Sequence, residues 1–226
     1  MLAPLTLALA ISRCTVAEPP LLRAAQVGVV DVESTGHAWA IHDDNDGIGY
    51  YPTSYAAAVA LATRLVAHDR AIHGRGVDLG IAQIDDANLT RYGLTIASAL
   101  LACPNLHASS IMLTRIYGEE QAALANVPDP QRSWAALDRT LRVYNSGSAH
   151  GPIEYPVAVE AALEGHYVEE ALADLGTLPP VAPDMHDASR AIARSPRASS
   201  LMFGSDLVTI NPPPAHNGVI AVPPRR

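Results

Sequence analysis

The 226-residue chain contains no lysine, a single phenylalanine and only two cysteines. All fifteen basic residues are therefore arginine, scattered rather than gathered into a stripe. With a net charge of −8, that leaves nucleic acid without the concentrated positive surface it needs. The acidic balance gives no attraction to anionic membranes either. No stretch approaches the roughly 20 apolar residues that a membrane-spanning helix requires, so an integral membrane protein is not expected. A Cys-x-x-Cys pair or a Cys/His cluster at zinc-ligand spacing is absent, which leaves structural zinc with little support, and no internal repeat is visible.

What is present suits a globular domain with a tail. A composition of 49% hydrophobic and 17% charged residues supports a real core in a chain of this length. The character changes after Gly176, where Pro179, Pro180, Pro183, Pro212-Pro213-Pro214 and Pro223-Pro224 lie among small and polar residues. Residues 1–176 are expected to form the domain. Residues 177–226 read as a proline-rich tail, either disordered or an extended ligand for a partner.

The most informative local segment ends at Glu33. Pro19 and Pro20 open a run in which Leu22, Ala25, Val29 and Val32 recur at helical spacing, and Thr35-Gly36 closes it with a left-handed cap. Glu33 then lies in the last turn, above Val29 and Val30 and at the negative end of the helix dipole. Desolvation and dipole both disfavour the carboxylate, so its pKa is expected to rise, as a general acid requires. A solvated helix-end glutamate is the bland reading of the same residues.

Beyond that helix the chain reads as mostly α with one small β-hairpin. Ala38 to His42 and Ile48 to Tyr51 flank Asp43-Asp44-Asn45-Asp46-Gly47, an Asp-Gly turn between short strands. The acidic turn lacks the ligand register of a calcium loop, and the spacing of His37 and His42 fits no helical zinc motif, so no metal is expected. Thr53 or Ser54 caps a helix with the stripe Ala58, Leu61, Ala62, Leu65 and Val66, ending near His68. A loop over 73–78 delivers Gly80-Ile81-Ala82-Gln83-Ile84-Asp85, and Asp86 can cap a short segment ending before Gly93. A long helix starts near Asn105. Another follows Asp129-Pro130, with Trp134, Leu137, Leu141 and Tyr144 on its apolar stripe, and a closing helix begins around Pro152 and Pro156 with Tyr155 on the far wall of a groove. Gln83 reads equally as a ligand for sugar hydroxyl or N-acetyl groups and as a loop-pinning amide, while Tyr144 needs a partner for a buried hydroxyl.

Glu33-Ser34, Gly80-Ile81-Ala82-Gln83-Ile84-Asp85, Cys103-Pro104-Asn105-Leu106 and Tyr144-Asn145-Ser146-Gly147, in that order, resemble the lytic transglycosylases, above all the small transglycosylases of type IV secretion and conjugation systems. The resemblance spans roughly residues 5–165. It departs at Asp85, where those proteins usually carry Asn, and at Val143, where they carry Ala. It implies a lysozyme-like fold of the goose-type lysozyme and lytic transglycosylase kind, a peptidoglycan glycan strand as substrate, and Glu33 as the catalytic residue. It further implies a substrate-binding set of Ser34, Gln83, Tyr144 and Asn145, in which Tyr144 also orients Glu33 and Ser34 reads alternatively as a cap. No cofactor or metal is implied. The location would be periplasmic, with secretion-system components as partners of the tail.

Cys14 and Cys103 sit just outside the two motif helices and are expected to form one disulfide, two buried thiols being the other reading. Leu2 to Ile11 is apolar and Ala8-Leu9-Ala10 has the small residues of a leader cleavage site, but no positive residue precedes this short run, and Arg13 before Cys14 argues against a lipoprotein box. By the resemblance this segment belongs to the first helix, and the export route stays open. Two other functions fit the same residues: a goose-lysozyme-like hydrolase with Asp85 or Asp86 as base, and a non-catalytic cell-wall adaptor.

Overall fold

The computed structural model describes residues 10–16 and 19–164; the tail, its boundary at 176 and residues 2–9 of the apolar run Leu2 to Ile11 lie outside these residues. The described chain is mostly helical. Its helices are α1 (Pro20–Ser34), α2 (Tyr55–Ile72), a short α3 (Ile96–Ala99), α4 (Ala102–Ala123), α5 (Gln131–Ser146) and α6 (Glu154–Glu164), with residues 10–14 also helical. None of the described helices is long and apolar enough to cross a membrane.

The ends of the helices follow their sequence signals. Pro20 occupies the first position of α1, where its missing N–H costs nothing, and Thr35 turns left-handed at φ 50°, with its own N–H bonded to Asp31 O and that of Gly36 to Val30 O. Gly36 follows at φ 74°, so the cap spreads over both residues of the expected pair. Ser54 Oγ accepts from Ala57 N at the start of α2, which runs one turn past His68 to a left-handed His73. Gly147, at φ 70°, ends α5.

The expected hairpin, β1 (Ile41–Asp43) with β2 (Ile48–Tyr50), is half of a larger sheet. Two further strands, β3 (Val77–Leu79) and β4 (Ile84–Asp85), complete an antiparallel sheet in the order β2-β1-β3-β4. Residues 73–78 were expected to be loop. Strands of three and two residues are too short for a period-2 pattern to register, and Asp78 interrupts the only apolar pair. Asp85, not Asp86, caps the turn that follows: its carboxylate accepts from Ala87 N, while Asp86 accepts from Val77 N and pairs with Arg70.

The core joins α1, α2, α4, α5 and the inner face of the sheet. Leu22, Ala25 and Val29 of α1 share one buried cluster with Ile41, Val77 and Leu79, and the expected stripe Trp134, Leu137, Leu141 and Tyr144 is buried throughout. A buried ion pair, Arg139 Nε to Glu120 Oε2 at 2.6 Å, ties α5 to α4. Helix α6 lies against α1 at Gly28, where a Cβ would stand 2.6 Å from Val159 O and 2.9 Å from Val159 Cγ1. A lone glycine inside an apolar helical run was the sequence signal for that close approach.

Cys14 and Cys103 form the expected disulfide, with Cα atoms 5.0 Å apart across 89 residues of sequence. The bond fastens residues 10–14 to the start of α4 beside a small cluster of Ile11, Val27, Val30, Ile81 and Leu106. Closing a loop of that length should stabilise the fold by about 2–5 kcal/mol. Cys103→Ala is therefore expected to lower the urea midpoint measurably, and a reducing agent to lower that of the natural protein alike; equal midpoints in both comparisons would contradict this.

Candidate active site

Glu33 sits at the end of α1 with no exposed surface. Tyr155, from the first turn of α6, donates its hydroxyl to Glu33 Oε1 at 2.5 Å. The second oxygen, Oε2, is buried with no hydrogen-bond partner among the described residues. Burial pushes the Glu33 carboxyl well above the usual carboxylate range; the Tyr155 hydrogen bond pulls the other way, and the charge of Asp44 adds to the rise. The expectation of a raised pKa thus has its main cause in desolvation and a second in a neighbouring carboxylate.

The other motif residues converge on one stretch of backbone, Gly80 to Gln83. Ser34 Oγ donates to Ile81 O at 2.7 Å. Tyr144 donates to Ala82 O at 2.9 Å and meets Ser109 Oγ at 3.0 Å. Asn105 accepts from Ala82 N at 2.8 Å and donates to Leu79 O and Ala99 O, both at 2.8 Å. Gln83 folds its own amide back to Gly80 O at 2.6 Å and Ala40 O at 3.1 Å. Gly80 is obligatory here: at φ 82° a Cβ would lie 2.1 Å from Ala99 O and 2.4 Å from Asn105 Nδ2.

These contacts revise several expected roles. The tyrosine that holds Glu33 is Tyr155, whereas the single hydroxyl proton of Tyr144 goes to the loop. Ser34 neither faces solvent nor simply caps its helix; it staples the end of α1 to the Gly80–Gln83 loop. Gln83 takes the loop-pinning role with its NH₂ group, at a strained φ of 46°, and keeps Oε1 buried without a partner. Asn145 is buried in the last turn of α5. Asn105, quoted only as part of a motif, is a principal organiser of the loop, and the sequence signal for it was its place after Cys103-Pro104.

The second face of the sheet, opposite Ile41, Val77 and Leu79, carries more acid than the sequence suggested. His42 faces Asp78 across β1 and β3, and Asp78 faces Asp85 across β3 and β4, so the three share one face, all buried. Burial pushes the Asp85 carboxyl up to about 7; the Ala87 amide opposes this, and the charges of Asp86, Asp44 and Asp69 reinforce it. In the acidic turn, by contrast, Asp43 and Asp46 accept backbone amides from Asn45 and Ile48. His37 stacks edge-on against Tyr51 with ring centroids 5.1 Å apart and does not join His42.

With this geometry in place, comparison with known proteins gives a consistent relative. The chain is similar to VirB1. It is 32% identical over 130 residues to protein VirB1 of Rhizobium radiobacter, covering 58% of this chain and 49% of that protein. It is also 32% identical over 114 residues to the type IV secretion system protein VirB1 of Brucella abortus, covering 47% and 46%. Protein VirB1 of Agrobacterium fabrum is 30% identical over 134 residues, 59% of this chain and 50% of that protein. The chain spans about half the length of the curated relatives it matches. The resemblance to type IV secretion proteins read from the motifs is thus found again over long alignments. No family model and no solved structure matches the chain.

Proposed function

We propose that this chain has a lysozyme-like fold and is a peptidoglycan lytic transglycosylase that opens the cell wall in the periplasm for a type IV secretion or conjugation apparatus. The observation that carries the reading is Glu33: a buried carboxyl at a helix end, held by one tyrosine, with burial raising its pKa. The similarity to VirB1 proteins supports the cellular setting.

In this mechanism Glu33 donates its proton to the glycosidic oxygen between N-acetylmuramic acid and N-acetylglucosamine. The C–O bond breaks through an oxocarbenium-like transition state, which the N-acetyl group of the muramic residue can assist. The Glu33 carboxylate then takes the proton of the muramic 6-hydroxyl as that oxygen bonds to C1. The product is a 1,6-anhydro sugar, no water is consumed, and Glu33 ends protonated. Because Glu33 is fully buried, side chains above it must move aside before a sugar reaches Oε2.

Tyr155 is a positioning residue in this scheme. Its hydrogen bond lowers the proton affinity of Glu33, so Tyr155→Phe is expected to move the alkaline limb of the rate profile to higher pH and to cut the rate about tenfold. An unchanged pH profile would remove Tyr155 from the mechanism.

Mass spectrometry of products released from purified peptidoglycan tests the reaction itself. Anhydro-muropeptides support transglycosylation. Reducing-end products would mean a hydrolase, a reading favoured by Asp44, a second buried carboxylate whose charge reaches Glu33. Release of neither would leave a non-catalytic adaptor.

A further inference from the structure

The sheet gathers a set of polar groups that take no direct part in the proton transfers of the cleavage scheme. His42 and Asp78 are register partners, and Asp44 continues the His42 face, anchored by its N–H to Gly76 O at 3.2 Å. Strand alternation turns Ile41, Val77 and Leu79 the other way, into the core. One imidazole nitrogen and one oxygen from each carboxylate all lie within 4.8 Å of one another. All three residues are buried. Asp44 Oδ1 is 2.9 Å from His42 Nδ1, and Asp44 Oδ2 is buried with no hydrogen-bond partner among the described residues. Such an orphaned carboxylate oxygen is costly unless something positive meets it.

We propose that His42, Asp44 and Asp78 form a binding site for a divalent transition-metal ion of the zinc or manganese class. Two carboxylates and a neutral imidazole carry a charge of −2, which a dication balances. A mixed nitrogen and oxygen set suits zinc or manganese better than calcium, which takes six to eight oxygens. At bonds of about 2.0–2.2 Å, tetrahedral ligand atoms stand roughly 3.4 Å apart, so side-chain rotations of up to about an ångström complete the set. Thiolates take no part, because both cysteines are in the disulfide. The competing arrangement is the plain His42–Asp44 hydrogen bond with no ion between them.

The test is calorimetric titration of the intact, chelator-treated protein with zinc, manganese and calcium chlorides in turn. One equivalent of zinc or manganese should bind, calcium should bind more weakly, and His42→Gln and Asp44→Asn should each weaken binding at least tenfold. Cobalt added to the natural protein should give a visible ligand-field band at one equivalent, a readout independent of whether either variant folds. Absence of that band, no uptake of zinc or manganese, or equal affinity in folded variants would overturn the site and leave only the His42–Asp44 hydrogen bond. Cleavage of peptidoglycan is not among the readouts, so the outcome is separate from that of the proposed activity.

Discussion

Replacing Glu33 with glutamine is expected to lower glycan release by about 10²–10⁴-fold, the usual contribution of general acid catalysis, while leaving the protein folded. Gln keeps an oxygen for the Tyr155 hydroxyl and fills the same volume, so the loss isolates the proton. The same substitution should change stability in a direction set by the raised pKa. A carboxyl whose folded pKa lies above its unfolded value holds a proton that the unfolded chain has already released, so stability falls as pH rises from about 4.3 toward the folded value. Glu33→Gln removes that loss. It should therefore melt higher than the natural protein at pH 8 and alike at pH 4. A variant that keeps its activity, or that melts lower at pH 8, would contradict the assignment of Glu33 as a buried acid.

Asp85→Asn should produce a second large effect, this time on stability. Burial holds the Asp85 carboxyl at about 7, against about 3.9 in an unfolded chain. Over the interval between those values the folded protein keeps a proton that the unfolded chain gives up, so stability drops with rising pH. Above about 7 the loss is complete, on the order of 4 kcal/mol. Asn keeps the oxygen that accepts from Ala87 N and fits against Gly76, where Asp85 Oδ2 now lies. The variant is expected to gain roughly 8–16 °C in melting temperature at pH 8 and almost nothing at pH 4, measured by calorimetry in the presence of a chelator. The transglycosylases that the chain resembles usually carry Asn at this position, so the ionisable group is a feature of this chain. Equal melting at pH 8 would show that Asp85 ionises freely.

Much of the site could be read before any fold was available, and for local reasons. The α1 helix with Glu33 in its last turn follows from Pro20, the apolar spacing and the Thr35-Gly36 cap, all within one stretch of chain. The buried stripe ending at Tyr144 follows from spacings of three and four on a single helix. The disulfide was suggested by two cysteines beside motif helices in a chain with no others.

The roles of those residues depended on contacts the chain makes far from itself in sequence. Tyr155 meets Glu33 across 122 residues, and Tyr144 meets Ala82 across 62; no periodicity records which hydroxyl reaches which acceptor. That choice rests on α6 lying close against α1 at Gly28, and on a loop drawn in by Ser34 and Asn105. The acidic sheet face was hidden for the same reason, because Asp78 and Asp85 join His42 only through strands two and three residues long. Composition, helix spacing and end caps determined by themselves a mostly helical domain with an acid at a helix end. Only the tertiary structure decided what surrounds that acid, because desolvation, hydrogen-bond partners and neighbouring charges arise where distant segments pack together.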